Sequence, residues 1–312
     1  MPHTVLVLGG SGFVGRHVVA KLVDAGHRVV VPTRRRDRAR DVMLLPTVTI
    51  VETDVHDPVK LAALVGRADV VVNLVGILHE EGGQTFARAH VELPRKVIAA
   101  CEAAGVKRLV HMSALGAAPD GPSKYQRSKG EAEGLVASSG LDWTIFRPSV
   151  IFGRGDSFLT MFARLVRLLP VVALAAPAAR FQPVWIGDVA HCFARSVDDD
   201  RTVGQRYDLA GPSVYTLREL VTYVGDLTGH RRPIVPLGPG LSQLQARMLE
   251  LLPVKLMTRD NLASMQQDNV SPDPFPALFG IAPKPLEAIA PEYLGPGAAR
   301  SRYDEYRAHG GR

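Results

Sequence analysis

Short hydrophobic runs alternate with amphipathic stretches through the first half of the chain. Thr4–Leu8, Arg28–Val31, Val48–Glu52, Val70–Leu74, Arg108–Met112 and Trp143–Phe146 are brief, rich in Val, Ile and Leu, and bounded by breakers. That pattern predicts six strands, and their nearly continuous hydrophobicity suits burial on both faces. Between them Val14, Val18 and Leu22 share a helical face closed by Gly26. Pro94–Ala104 stops at Gly105, and a third helix spans Ser123–Ser138, ahead of Gly140. The alternation predicts right-handed βαβ units and so an α/β fold built on a doubly wound parallel sheet.

The periodicity weakens beyond residue 150. Ser157–Leu169, Leu217–Thr228 and Leu241–Leu252 read as helices, with strand-like pieces such as Tyr207–Ala210 between them. The expected division is a first domain over 1–150, a smaller C-terminal lobe over 151–270 interleaved with it, and a tail over 271–312. Seven prolines and no sustained period predict an extended wrap or disorder for that tail. The longest apolar tract, Phe158–Ala176, is broken by Arg164, Arg167 and Pro170 and fails as a membrane span. Its helix is either a core element or a surface lying on anionic lipid or a partner, and Leu251–Met257 has a similar character. With Thr4–Leu8 starting almost at the first residue, no removable targeting segment is expected.

Composition narrows the class. The 312 residues are 46% hydrophobic and 22% charged, which excludes a disordered or collagen-like chain. Cys101 and Cys192 are the only cysteines, too few for a disulfide scaffold or a cysteine-based zinc site. A reducing, cytoplasmic setting is the expectation. The net charge of +6 raises an anionic partner, and five arginines fall between Arg34 and Arg40 against Asp37 alone. No helix-turn-helix or aromatic-strand pattern supports nucleic acid, and no His/Asp/Glu spacing supports a metal.

The candidate chemistry starts where the first strand ends. Gly9-Gly10-Ser11-Gly12-Phe13-Val14-Gly15 runs from that strand into the first helix. Gly9 permits a tight turn and Gly12 a close approach to pyrophosphate. Gly15 lets helix and strand pack closely, and the helix N-terminus faces the anion. An acidic residue at the end of the second strand would mark NAD(H). Here Thr33, Arg34 and Arg35 stand instead, which favours NADP(H), with Arg34 the leading contact for a 2′-phosphate. A solvated basic loop is the competing reading. Asp54, followed by Val55, is placed either for the adenine amino group or as a helix cap. Val75 after the fourth strand, and Pro148 and Val150 after the sixth, complete the expected cofactor contacts.

Tyr125 and Lys129 lie four residues apart on one helix face. A nearby ammonium stabilises phenolate, so the pair can exchange a proton with a hydroxyl or carbonyl, and the lysine can also hold the nicotinamide ribose. A stacked surface tyrosine beside a solvated lysine is the plain alternative. His111 reads as a core histidine rather than a catalytic one. His79, beside Glu80 and Glu81, reads as an exposed loop residue or an acid/base.

The glycine loop, the strand ending at Ser113 and Tyr125-x-x-x-Lys129 together resemble the short-chain dehydrogenase/reductase superfamily. Arg147–Gly153 and Phe181–Ala190 look like landmarks of its extended and atypical branches. Val110–Ala114, Pro122–Tyr125, Met257–Asp260 and Asp268–Val270 resemble bacterial relatives of the nucleotide-binding accessory subunit of respiratory complex I. The resemblance spans roughly residues 4 to 270. It implies a Rossmann domain over 1–150, tight NADP(H) binding, and peripheral membrane or respiratory-complex contact through the C-terminal part. It also implies a Ser or Thr that hydrogen-bonds the substrate oxygen, for which Ser113 is the candidate. In a second register Ala114 takes that position and Ser113 falls one residue early. Three functions stay open: a structural or quinone- and membrane-linked NADP(H)-binding protein, an active reductase or sugar-nucleotide epimerase acting on a small molecule, and an NADPH redox sensor. Whether the chain is an enzyme is open with them.

Overall fold

The computed structural model describes residues 2–251 and 256–295. Seven strands, β1 (Thr4–Leu8), β2 (Arg28–Thr33), β3 (Val48–Glu52), β4 (Val70–Asn73), β5 (Arg108–Met112), β6 (Asp142–Pro148) and β7 (Gln205–Leu209), form one sheet in the order β7-β6-β5-β4-β1-β2-β3. Every pairing is parallel. The strand order reverses between β1 and β4, where a doubly wound sheet opens its binding crevice. Tyr207–Leu209, part of the short piece expected beyond residue 150, lies within β7. Five backbone register pairs dock that strand against β6.

The helices in chain order are α1 (Phe13–Asp24), α2 (Pro58–Val65), α3 (Leu93–Ala104), α4 (Lys124–Ala137), α5 (Phe158–Leu168), α6 (Ile186–Val197), α7 (Leu217–Leu227), α8 (Pro239–Leu249), α9 (Arg259–Ser264) and α10 (Leu286–Leu294). Among the described residues one compact unit takes in the chain up to Pro148, Ile186–Leu209 and Pro276–Ile281. The other takes in Ser149–Trp185, Ala210–Phe275 and the chain from Ala282. In the first, α1 packs on α6, and α2, α3 and α4 pack in succession. Alternate strand residues Leu6, Leu8, Val71, Leu109 and Ile145 meet Leu61, Leu93, Val97 and Val136 of the α2–α4 layer, as the two-residue period of a strand requires.

In the second unit α5, α7 and α10 enclose Phe152, Leu159, Phe162, Val166, Leu220 and Ile289. The apolar face of α5 is therefore core, with Arg164 and Arg167 turned outward. The tail departs from its expected extended form. Leu286, Ile289, Ala290 and Leu294 are buried at helical spacing, and α10 forms across them despite Pro291. Leu252–Lys255 and the tail beyond residue 295 lie outside the described residues. No described helix is long and apolar enough to cross a membrane.

Candidate functional site

The glycine loop is shaped by what its side chains would strike. Gly9 sits at φ +82, a left-handed conformation that glycine adopts without strain. A Cβ on Gly15 would lie 2.1 Å from the Gly9 carbonyl oxygen and 2.6 Å from Gly10 Cα, so α1 leaves the loop at backbone contact. Gly12 caps α1 with extended backbone; no side chain caps the helix, and its first turn carries no acid. Ser11, Phe13 and Val14 are half-buried around it. The helix N-terminus thus suits an anion, and the loop fits a dinucleotide pyrophosphate.

At the end of β2, Thr33 is buried and donates its hydroxyl to the Arg35 carbonyl at 3.0 Å. Arg35 is engaged with Asp37 through two nitrogens, at 3.1 and 2.6 Å, while Arg34 is exposed at the strand end. The cap of α2 is Asp57, which accepts from the amides of Val59 and Lys60; Asp54 accepts from the His56 amide and is not a cap. Val55 and Val75 pack on the sheet core, the latter with its amide on Asn73 Oδ1.

Tyr125 and Lys129 rise from α4, which starts at a capping box between Ser123 and Gln126. Gly130 brings that helix against the Ala118–Pro119 backbone, where a Cβ would lie 2.4 Å from Ala118 C. Lys129 is 2% exposed and donates to the Met112 carbonyl at 3.0 Å. Burial pushes its ammonium down to about 8, against the opposing pull of Glu133. The expectation that Lys129 lowers the pKa of Tyr125 is corrected here. Burial raises the half-buried phenol to about 12, so it holds its proton at neutral pH.

Ser113 bonds to the helix of that pair one turn further on. Its hydroxyl donates to Glu133 Oε1 at 2.5 Å, and Glu133 is also gripped by Arg147 Nε at 2.8 Å with Arg206 at 3.5 Å. Ser113 thus belongs to a buried charge cluster, and the neighbouring position is Ala114. Pro148 ends β6 and accepts from the Leu115 amide, while Val150, in the second unit, donates its amide to Asn269 Oδ1. His79 meets Glu81 at 3.5 Å in a loop. His111 is fully buried between strands, with Nδ1 3.3 Å from Asn73 Nδ2, and burial pushes it down to about 3.

Sequence reasoning missed His90, Phe86 and Gly76. His90 is 1% exposed in a π-helical turn, Ala87–Glu92, and its ring stacks on Phe86 and meets Tyr125 edge-on at 5.5 Å. A Cβ on Gly76 would lie 3.3 Å from Lys129 Nζ and 3.5 Å from His90 Nε2. The one usable signal was Phe86 and His90 at a four-residue spacing, the interval that links Tyr125 to Lys129.

A family model described as NAD(P)H-binding matches residues 9–156, which include the glycine loop, β2 and α4. The chain is 34% identical to the mitochondrial NADH dehydrogenase (ubiquinone) 1 alpha subcomplex subunit 9 of Mus musculus over 300 residues, 92% of this chain and 78% of that protein. It is 26% identical to the mitochondrial NADH-ubiquinone oxidoreductase 40 kDa subunit of Neurospora crassa, over 97% and 81% of the two chains. An NADPH-dependent quinone oxidoreductase from Escherichia coli, solved with NADPH, shares the fold with a TM-score of 0.75 at 20% identity, covering 93% of this chain and 99% of that one. With an NAD(P)H-binding domain on a doubly wound sheet and this identity across most of both chains, the protein belongs to the family of the NADH dehydrogenase (ubiquinone) 1 alpha subcomplex subunit 9.

Proposed function

We propose that the protein holds NADP(H) as a bound ligand without turning it over, in a structural or quinone-linked role at a respiratory complex. The observation that carries this reading is the bond from Ser113 to Glu133, which commits the serine hydroxyl to a carboxylate and leaves Ala114 beside it. A bound nicotinamide supplies a hydride donor or acceptor. The backbone of Gly9–Gly15 and the N-terminus of α1 would take the pyrophosphate. Arg34 would take the 2′-phosphate, because Arg35 is already paired with Asp37. Asp54 and Val55 would meet the adenine, and Lys129 the ribose hydroxyls. A cytoplasmic place, peripheral on the inner face of the membrane, belongs to the same proposal; the relatives are named as mitochondrial respiratory-complex subunits, which supports the respiratory-complex part of it. The test is to denature the purified protein, identify the released nucleotide, and titrate the emptied protein with NADPH and NADH. One NADP(H) per chain supports the reading; no bound nucleotide and no titration contradict it.

A second reading, an active reductase or sugar-nucleotide epimerase, is favoured by Lys129. A buried amine at about 8 can trade a proton near neutral pH, one helical turn from the Tyr125 phenol. Turnover of a ketone, quinone or nucleotide sugar that is abolished in Tyr125→Phe would establish it.

A further inference from the structure

His90 carries no role in the reading above, yet each of its polar atoms is committed. Nε2 accepts from the Ile77 amide at 3.0 Å. That bond puts the ring proton on Nδ1, which donates to Ser128 Oγ at 2.8 Å. Ser128 in turn donates to the carbonyl of Tyr125 at 2.8 Å. The imidazole therefore bridges the loop after β4 to the first turn of α4 in one fixed tautomer. Phe86 stacks against it with ring centroids 5.5 Å apart, and Tyr125 meets its edge. Its placement comes from the π-helical turn ahead of α3, a local winding that recurs at functional sites because it re-aims one side chain.

We propose that His90 is a positioning residue of the dinucleotide site: it holds the Gly76–Ile77 loop over the Lys129 ammonium and sets the register of Tyr125. A bond from Ile77 and a bond to Ser128 fix both ends, and the loop runs so close to the lysine that a Cβ on Gly76 would lie 3.3 Å from its Nζ. Burial, with Lys129 adding to it, holds the imidazole down at about 2, so it stays an acceptor at Ile77 across the working range of pH. Lys129 is faced by Glu133 from its own helix, by His90 from the π-helical turn, and by His111 from β5. The inference rests on the reading that this face of α4 meets a bound dinucleotide.

Two variants test it. His90→Leu keeps the bulk and removes both bonds; His90→Gln can accept from Ile77 and donate to Ser128. Calorimetric titration of the full chain with NADPH should show affinity reduced about tenfold or more in His90→Leu and within about threefold of wild type in His90→Gln. The Lys129 midpoint, followed by the NMR shift of its Cε, should move by about one pH unit or more in His90→Leu and stay near the wild-type value in His90→Gln. Lowered thermal stability with unchanged NADPH affinity and an unchanged Lys129 midpoint would overturn the inference. If wild type binds no dinucleotide, the proposed function fails on its own. The Lys129 titration then still decides His90, a static midpoint in His90→Leu counting against it.

Discussion

Ser113 gives its hydroxyl proton to Glu133, one helical turn beyond Lys129, and Arg147 closes on the same carboxylate with two nitrogens. Glu133 is 3% exposed, so its charge is held in low dielectric by these partners, with Arg206 at 3.5 Å. The hydroxyl proton of the serine at the end of β5 is thereby tied to a carboxylate on α4. Removing one member of a buried pair strands the other. Glu133→Ala is expected to cost about 3 kcal/mol or more in urea unfolding, and Ser113→Ala about 1 kcal/mol. NADPH affinity in Ser113→Ala should stay within about threefold of wild type. A collapse of nucleotide binding there would return Ser113 to the cofactor site.

The charge of the second-strand loop is divided by its own pairing. Because Arg35 grips Asp37, Arg34→Ala should weaken NADPH about tenfold or more while leaving NADH nearly unchanged. Arg35→Ala should have the smaller effect on NADPH. Calorimetric titration with both nucleotides checks this, and an equal loss for NADPH and NADH in Arg34→Ala contradicts the 2′-phosphate assignment.

Gly15 tolerates no Cβ, since the atoms it would strike are backbone rather than a flexible side chain. Gly15→Ala is expected to displace α1 from the loop and reduce NADPH affinity by about a hundredfold, or ~2.7 kcal/mol. Retained affinity would mean that the loop is not the pyrophosphate cradle.

Two histidines and a lysine make stability depend on pH from both sides. His90 and His111 are held at about 2 and about 3, against 6.5 for the free side chain. Below about 6.5 the unfolded chain takes up protons that the folded protein refuses, so stability falls with pH by up to ~2.7 kcal/mol per unit for the pair. The urea midpoint should drop steeply from about pH 6 to about pH 4, and His90→Gln should roughly halve the slope. Lys129 acts at the other end. Its folded value of about 8 lies below 10.5 for the unfolded chain, so the buried ammonium costs about 3 kcal/mol below pH 8 and that cost fades as pH rises toward 10.5. Lys129→Met should therefore stabilise the protein at pH 7 and lose its advantage by about pH 10.5. A pH-independent difference would contradict the burial of the charge.

The parts legible in the sequence share a local signal. The glycine loop, the first six strands and α4 declare themselves through spacing and breakers within a dozen residues. Most of what escaped depends on distant partners or lacks a period. β7 pairs with β6 across more than fifty residues of intervening chain, which no local pattern encodes. α6 leaves a narrow stripe of Gly187, His191 and Arg195 uncovered on an otherwise buried helix, a four-residue period that was present in Ile186–Val197 and was overlooked. The prolines of the tail masked the apolar spacing of α10. His90 offered the sequence no more than its four-residue spacing from Phe86, because the π-helical turn that aims it has no signature of its own and its value lies in bonds to Ile77 and Ser128 on two other elements. The acidity of Tyr125 was misjudged because adjacency to Lys129 was legible and the burial of both was not.

The central claim, that the site holds its nucleotide without turning it over, is tested by loading the protein with NADPH. Its absorbance is then followed as ubiquinone analogues, ketones and nucleotide sugars are added, with Tyr125→Phe in parallel. The expected result is tight NADPH binding with no oxidation above that of Tyr125→Phe. Substrate-dependent oxidation in the wild type that disappears in Tyr125→Phe would contradict it.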